Sequence, residues 1–489
     1  MDLREARPVR RALVSTTAAA LAAGLVAGLA ACTPSAGPTA PSPSAARAAE
    51  VRDLKIHAVT LPSADPAELA LTASQLVFER SPVIVVATRG DDVAAPAMTA
   101  VATALHAPVL LADGPDDRGV RSEAERLGAR AAVIVEEDPA ELAVDTGASA
   151  APSAAEGAAR AAGLQAVRLD PDSVVPGGAA DGAATGGPDD AAVAVDRRRL
   201  DELRTQLGDV LPEAEPSLLT EVLALVDPQP GQEAALATLR AAGAVTEPAP
   251  GGDPGASGTT VRTLSDAQAL SVVGVGPGFA DADTFAWQVA AAEGGQLLPT
   301  GSQRVLPAQF DAVSARVGNA QDRLLAATDT ASADGTPVVP TLVLRAAARQ
   351  WSAGPERTYV STETVEALTP IVEAARRSNR YVVLELEGGS IALVDQVRAL
   401  EPLLVQGGVG LLVHPEQRRS GAGLTRGGSV PAAELQAVVD YLAGLATQKA
   451  LPQVLLAVHS LDSAVDGADT LTQRPQVGVV DASVLAGAQ

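Results

Sequence analysis

Short apolar runs recur along the chain, and most are followed by a stretch with helical spacing. Pro82–Thr88, Pro108–Ala112 and Ala131–Glu136 are almost wholly aliphatic. Runs of that length and make-up read as strands buried on both faces. Ala94–Leu105 and Arg121–Leu127 lie between them as helices, so a parallel sheet covered on both sides is expected. A helix–strand trace follows at Ala154–Leu169. The stretch at about 174–190, rich in Gly, Ala, Pro and Asp, is expected to be disordered. Arg197–Val210 reads as an amphipathic helix, and Val222–Val226, Gln232–Ala242 and Ala244–Thr246 as strand, helix and strand. Glu247–Thr260 (EPAPGGDPGASGTT) has the composition of a linker and marks the expected domain boundary.

Beyond it the strand candidates are Ser271–Val275, Val338–Leu344, Tyr381–Glu387, Gly408–Val413, Gln453–Val458 and Gln476–Val480. Leu393, Val397, Leu400 and Leu404 form one apolar stripe within a helix-length segment, Ser390–Leu404. Leu435, Val438, Leu442 and Leu445 form another. Thr369-Pro370 has the chemistry of a helix start. Six strand–helix steps in about 220 residues predict a TIM-barrel-like domain over 261–489, closed or incomplete, with a doubly wound open sheet as the alternative. The expected fold class is α/β, a Rossmann-like parallel-sheet region over 51–246 followed by that barrel-like domain.

Alternation along Tyr381–Glu387 separates two faces. Val382, Leu384 and Leu386 share one, which suits a helix layer; Val383, Glu385 and Glu387 share the other. Carboxylates on an inner face must lie near water or a partner, so this face should open at a mouth. His414, Glu416 and His459 stand at the ends of later strands, and Arg345 and Asp481 close two more. The candidate catalytic residues are therefore Glu385, Glu387 and Glu416, and the candidate binding residues Arg345, His414, His459 and Asp481. Glycoside hydrolysis needs two carboxyls roughly 5–5.5 Å or 6.5–9.5 Å apart. The competing reading is a hydrogen-bonded polar network. Two histidines and Glu416 are metal-ligand types, but no HxH or HExxH spacing joins them, so neither metal nor cofactor is expected. Gly274-Val275-Gly276-Pro277-Gly278 lacks the GxGxxG spacing and reads as a turn.

The N-terminus changes the picture most. Arg4, Arg7, Arg10 and Arg11 precede the uncharged run Ala12–Ala30, an export signal over 1–31. It ends in Leu29-Ala30-Ala31-Cys32, which resembles the lipobox of bacterial lipoproteins, where the cysteine is acylated. That resemblance implies a lipid anchor on Cys32 at the outer face of the cytoplasmic membrane. Residues 32–50, rich in Pro, Ser, Ala and Thr, would then be a flexible tether. Cys32 is the single cysteine, which excludes an internal disulfide and a CxxC metal site. A net charge of −23 repels nucleic acid, and 2% aromatic residues leave few platforms for sugar stacking.

The order strand, Gly90-Asp91-Asp92, small helix, Ala107-Pro108-Val109-Leu110-Leu111, helix, Leu127-Gly128-Ala129, strand covers roughly 72–138. It is similar to the type 2 cell-wall-binding repeat of Gram-positive surface proteins. Asp92-Val93-Ala94 stands where that family has Asp-Ala-Leu, and Glu136-Glu137 where it has Gly-Gly. Residues 196–246 leave a decayed second copy open. Phe285–Val289, Gly294–Leu298, Val339-Pro340-Thr341, Tyr381–Gly389, Leu400–Arg418 and Leu451–His459 resemble surface lipoproteins of Gram-positive bacteria that join such repeats to a barrel-like domain. The central motifs of those proteins read Asp-Leu-Gln-Pro-Gly and Asp-Pro-Glu-Trp-Arg. Here they are Glu385-Leu386-Glu387-Gly388-Gly389 and His414-Pro415-Glu416-Gln417-Arg418. The resemblances imply the fold and an exported, lipid-anchored envelope location. The export signal joined to the repeat-like stretch gives the expectation of binding or scaffolding at the cell wall, with the membrane and a wall polymer as partners. The polar-network reading of the site gives that of no catalysis. The alternatives are a glycoside-hydrolase-like enzyme acting on envelope polysaccharide through Glu385 or Glu387 with Glu416, and a small-solute-binding lipoprotein.

Overall fold

Parallel strands dominate the computed structural model, which describes residues 48–136, 152–176, 193–211, 216, 218–326, 336–353, 357–419 and 428–485. Cys32, the export signal and most of the expected tether lie outside the described residues. No described helix is long and apolar enough to cross a membrane.

The first half builds two four-stranded sheets, one inserted into the other. The chain opens with β1 (Ala58–Leu61) and α1 (Pro66–Val77), where Asp65 caps the helix by accepting from the Glu68 N–H. It then lays down β2 (Val83–Thr88), α2 (Ala95–Leu105), β3 (Val109–Ala112), α3 (Arg118–Leu127), β4 (Ala131–Val135), α4 (Ala154–Ala161) and β5 (Gln165–Leu169). Strands β2 to β5 form a parallel sheet in the order β3-β2-β4-β5, as the apolar runs require. After α5 (Arg197–Leu207) come β6 (Val222–Val226), α6 (Glu233–Ala241), β7 (Val245–Pro248), α7 (Gly258–Ala267) and β8 (Ser271–Val275). They form the second parallel sheet in the order β7-β6-β8-β1. Val174–Pro176, expected to be disordered, is a short strand paired with Val193–Val195; residues 177–192 lie outside the described set.

Two boundaries move. Ser271–Val275 pairs with β6, so it belongs to the second sheet and not to the C-terminal domain. The expected linker 247–260 joins two strands of that one sheet, and Ala249, Gly252 and Pro254 within it are buried. The cause is Asp227 at the end of β6, 5% exposed. Its carboxylate accepts from the Gly251 N–H at 2.8 Å and the Gly278 N–H at 3.2 Å, tying both following turns to the sheet. Composition reads Pro and Gly as loose, and a buried acceptor 24 residues upstream overrides it.

The second half starts with α8 (Ala282–Glu293) and continues through β9 (Gln309–Ala315), α9 (Ala320–Ala326), β10 (Val338–Arg349), β11 (Val360–Thr362), α10 (Val365–Arg377) and β12 (Tyr381–Gly389). Then follow α11 (Leu393–Ala399), α12 (Glu401–Leu404), β13 (Val409–Arg418), α13 (Ala432–Gln448), β14 (Val454–Val458) and β15 (Val477–Asp481). The sheet order is β9-β10-β12-β13-β14-β15, all parallel, with β11 antiparallel to β10. Each crossover steps to the next strand in the same direction, and right-handed crossovers then place the helices on one face. Val382, Leu384 and Leu386 pack there with Leu368, Val397 and Leu442. Val383 lies on the opposite face with Phe310, Val343, Tyr381, Leu412 and Leu455, covered by Leu298 and Val305.

Among the described residues no closed barrel is formed: β9 and β15 are the two edges, and no ladder joins them. Two helix expectations also change. Thr369-Pro370 is not a start: Thr364 caps α10 by accepting from the Ala367 N–H, and Pro370 lies inside the helix. The Ser390–Leu404 segment breaks into α11 and α12, with Pro402 in the first turn of the second, while its four apolar residues stay buried.

Candidate functional site

Strand register brings the candidate residues together. Arg345 is level with Glu385, Glu385 with Leu412, and Glu387 with His414 on three adjacent parallel strands. Residues level with one another point to the same face, here the one that carries Val383. The ladder between β12 and β13 then slips, so that Gly389 meets Arg418. Pro415 has no N–H for a ladder, and a bulge beside it re-aims the next side chain. His414 and Glu416 therefore belong to a bent strand rather than to a loop after it. Arg418 fixes the bend: its Nε donates to Glu434 at 2.7 Å and a terminal nitrogen to the Gly389 carbonyl at 2.9 Å. Sequence reasoning gave Arg418 no role; a cation closing a Pro-containing strand was the available signal.

The side chains form a continuous row. Arg345 contacts Glu385 at 3.1 Å through Nε and Glu387 at 3.1 Å through a terminal nitrogen. The Arg349 N–H donates to Glu387 at 2.9 Å. His414 Nε2 lies 3.1 Å from Glu385 Oε1, and His414 Nδ1 lies 3.1 Å from Glu416 Oε1. His459 Nδ1 meets the same Glu416 oxygen at 3.1 Å. The two imidazoles stack with centroids 4.9 Å apart. Gln417, unassigned from sequence, places its amide 3.5 Å from His414 Nδ1. Asp481 stands apart from the row, accepting from the Leu461 and Ser483 N–H groups. It lines a shallow cavity of about 410 Å³ with His459, Ser460 and Asp462. Arg345 borders another of about 270 Å³ beside Arg316 and Glu363.

The charges follow from these contacts. Burial alone would lower the His414 pKa, but its bonds to Glu385 and Glu416 outweigh that and lift it to about 9. Both ring nitrogens face carboxylate oxygens, and both donate only in the imidazolium. Burial would raise Glu385, yet His414 and Arg345 hold it below the usual carboxylate range. Glu416 is likewise held low by His414 against the effect of burial. A glycosidase needs one carboxyl kept protonated as the acid. Here two carboxylates flank one imidazolium and each is stabilised as the anion.

A pH dependence follows for protein in metal-free buffer. The folded His414 pKa lies above the unfolded value of about 6.5. Its stabilisation is therefore complete below that value and is lost as pH rises through about 9. The loss should be up to about 3 kcal/mol, read from urea unfolding at pH 6 and pH 9.5. A flat profile in the wild type, or the same slope in His414→Gln, would show that the network does not carry it.

No known protein family matches the chain, and no curated protein matches it. One solved structure with a resemblance is Cwp6 from Clostridium difficile, at a TM-score of 0.34 and 12% identity. The match covers 69% of this chain and 64% of that one, so it spans less than two thirds of its length. A likeness that distant leaves the fold and the role to be argued from this chain's own residues.

Proposed function

We propose that the chain is an exported, lipid-anchored protein of the cell envelope that binds or scaffolds at the cell wall without catalysis. The location rests on the basic n-region, the apolar run and Cys32 at the end of Leu29-Ala30-Ala31. Residues 72–138, with their likeness to a wall-binding repeat, support a wall polymer as partner. One observation carries the non-catalytic reading: Glu385 and Glu416 are both bonded to His414, so neither is poised as a proton donor. The C-terminal sheet reads as an incomplete TIM-type barrel, supported by strands in chain order and helices on one face.

The test has two arms. A labelled acyl precursor should enter the wild type, and Cys32→Ala should abolish labelling and release the protein from membranes. Undiminished labelling of that variant would refute the anchor. Purified wall fragments should retain the protein with no release of reducing sugar. Sugar release abolished by Glu385→Gln or Glu416→Gln would instead establish the hydrolase. Saturable binding of a small solute without wall retention would establish the receptor.

A further inference from the structure

We infer that His414, Glu416 and His459 form a binding site for a divalent transition-metal ion of the kind imidazole favours, with Zn²⁺ as the probe. The inference concerns what the row of side chains binds and is independent of where the protein resides.

The geometry starts from donors and acceptors. When His414 is neutral and its Nε2–H donates to Glu385 Oε1 at 3.1 Å, its Nδ1 carries a lone pair. That lone pair faces Glu416 Oε1, itself an acceptor, at 3.1 Å. A second imidazole nitrogen, His459 Nδ1, meets the same oxygen at 3.1 Å. The three ligand atoms lie within 4.8 Å of one another. Acceptors gathered in this way need a positive centre, either a proton or a metal. Two imidazoles and a carboxylate are a recurrent Zn²⁺ set, with bonds of about 2.0–2.2 Å and tetrahedral ligand spacings of about 3.3 Å. The two 3.1 Å contacts are close to that spacing, and a modest turn of the half-exposed His459 ring completes it.

The surroundings fit the same ion. Metal-bound histidines donate their other nitrogen to a carboxylate that fixes the ring. Glu385 takes that place for His414 and is itself held by Arg345. With both imidazoles neutral, Glu385, Glu387 and Glu416 with their partner Arg345 leave two negative charges in the row for a dication, and Asp481 beside His459 adds to them. Glu416 Oε2 is buried and receives no hydrogen bond. His459, 49% exposed, leaves an entry path from the shallow cavity beside Asp481. Binding exchanges the Nδ1 proton of His414 for the metal, so one proton leaves when the imidazolium is the starting form.

The experiment is calorimetric titration of Zn²⁺ into the full chain, held in mild detergent and stripped with a chelator. One ion per chain is expected. His459→Ala, at a half-exposed position that does not risk the fold, should weaken binding at least about tenfold, as should Glu416→Gln. Glu385→Gln leaves the three ligands in place and should weaken binding by about tenfold. His57→Ala removes the imidazole that pairs with Glu293 and should change nothing. Co²⁺ in place of Zn²⁺ should give the visible absorption of a tetrahedral site, lost in His459→Ala. Failure of the wild type to bind Zn²⁺, binding unchanged in both His459→Ala and Glu416→Gln, or binding lost in His57→Ala would each overturn the assignment. A single cooperative melting transition in metal-free buffer confirms that each variant is folded; Glu385→Gln and Glu416→Gln should melt below the wild type because each removes a partner of the His414 imidazolium.

Discussion

Trp287→Ala should lower the free energy of unfolding by about 3–5 kcal/mol, measured by urea denaturation. The indole sits on α8 at 2% exposure. Its N–H donates to the Leu451 carbonyl at 3.0 Å, and the Arg304 guanidinium lies over the ring at 5.0 Å. Arg304 in turn pairs with Asp253. Truncation leaves a cavity, an unpaired buried carbonyl and a cation without its ring face, three costs that act together. Helix α8 follows the second sheet, whereas Leu451 leads into β14 of the third. The indole therefore couples the two, and the variant should lower the midpoint of both. Loss of stability confined to one half, or a change under about 1 kcal/mol, would refute that coupling.

Gly252→Ala should cost about 4 kcal/mol, and Gly251→Ala only about 1 kcal/mol. Both glycines have positive φ, +73° at Gly251 and +69° at Gly252, so both variants incur the strain of a left-handed residue. They differ in what a Cβ would meet. At Gly251 nothing lies within 4 Å; at Gly252 the backbone carbon of Gly278 lies at 2.2 Å. Backbone cannot rotate aside as a side-chain tip can, so the turn after β7 must lift from the turn after β8. The difference between the two variants isolates that contact. Equal losses would mean that the stretch 247–260 is as loose as its composition reads.

These two sites mark the limit of what was legible in the chain. The alternation of Tyr381–Glu387 was readable because period two needs only neighbours. It assigned Val382, Leu384 and Leu386 to the helix side and Glu385 to the other. The gathering of Arg345, Glu385, His414 and His459 followed from strand ends in the same way. Long-range effects were not readable. Ala58–Leu61 is four residues with no pattern of its own, and becomes a strand because β8 pairs with it. Asp227 carries no local mark of gripping Gly251 and Gly278. The bend at Pro415 that turns Glu416 back on His414 depends on register with β12. Whether a sheet closes into a barrel or stays open, as the third sheet does among the described residues, depends on strand tilt and stagger, which no single segment encodes.

The pairing of β1 with β8 has a consequence for the order in which the molecule is assembled. A chain that emerges N-terminus first exposes β1 early, yet its partner appears roughly 200 residues later. The inserted first sheet can be complete well before that moment. In the third sheet each new parallel strand from β10 onward docks on the parallel strand before it, with β11 added to the side of β10, so growth there keeps pace with emergence. The second sheet is thus the late-closing clasp. A fragment ending before residue 271 should hold one finished sheet and leave β1 as a bare edge that invites pairing with another chain.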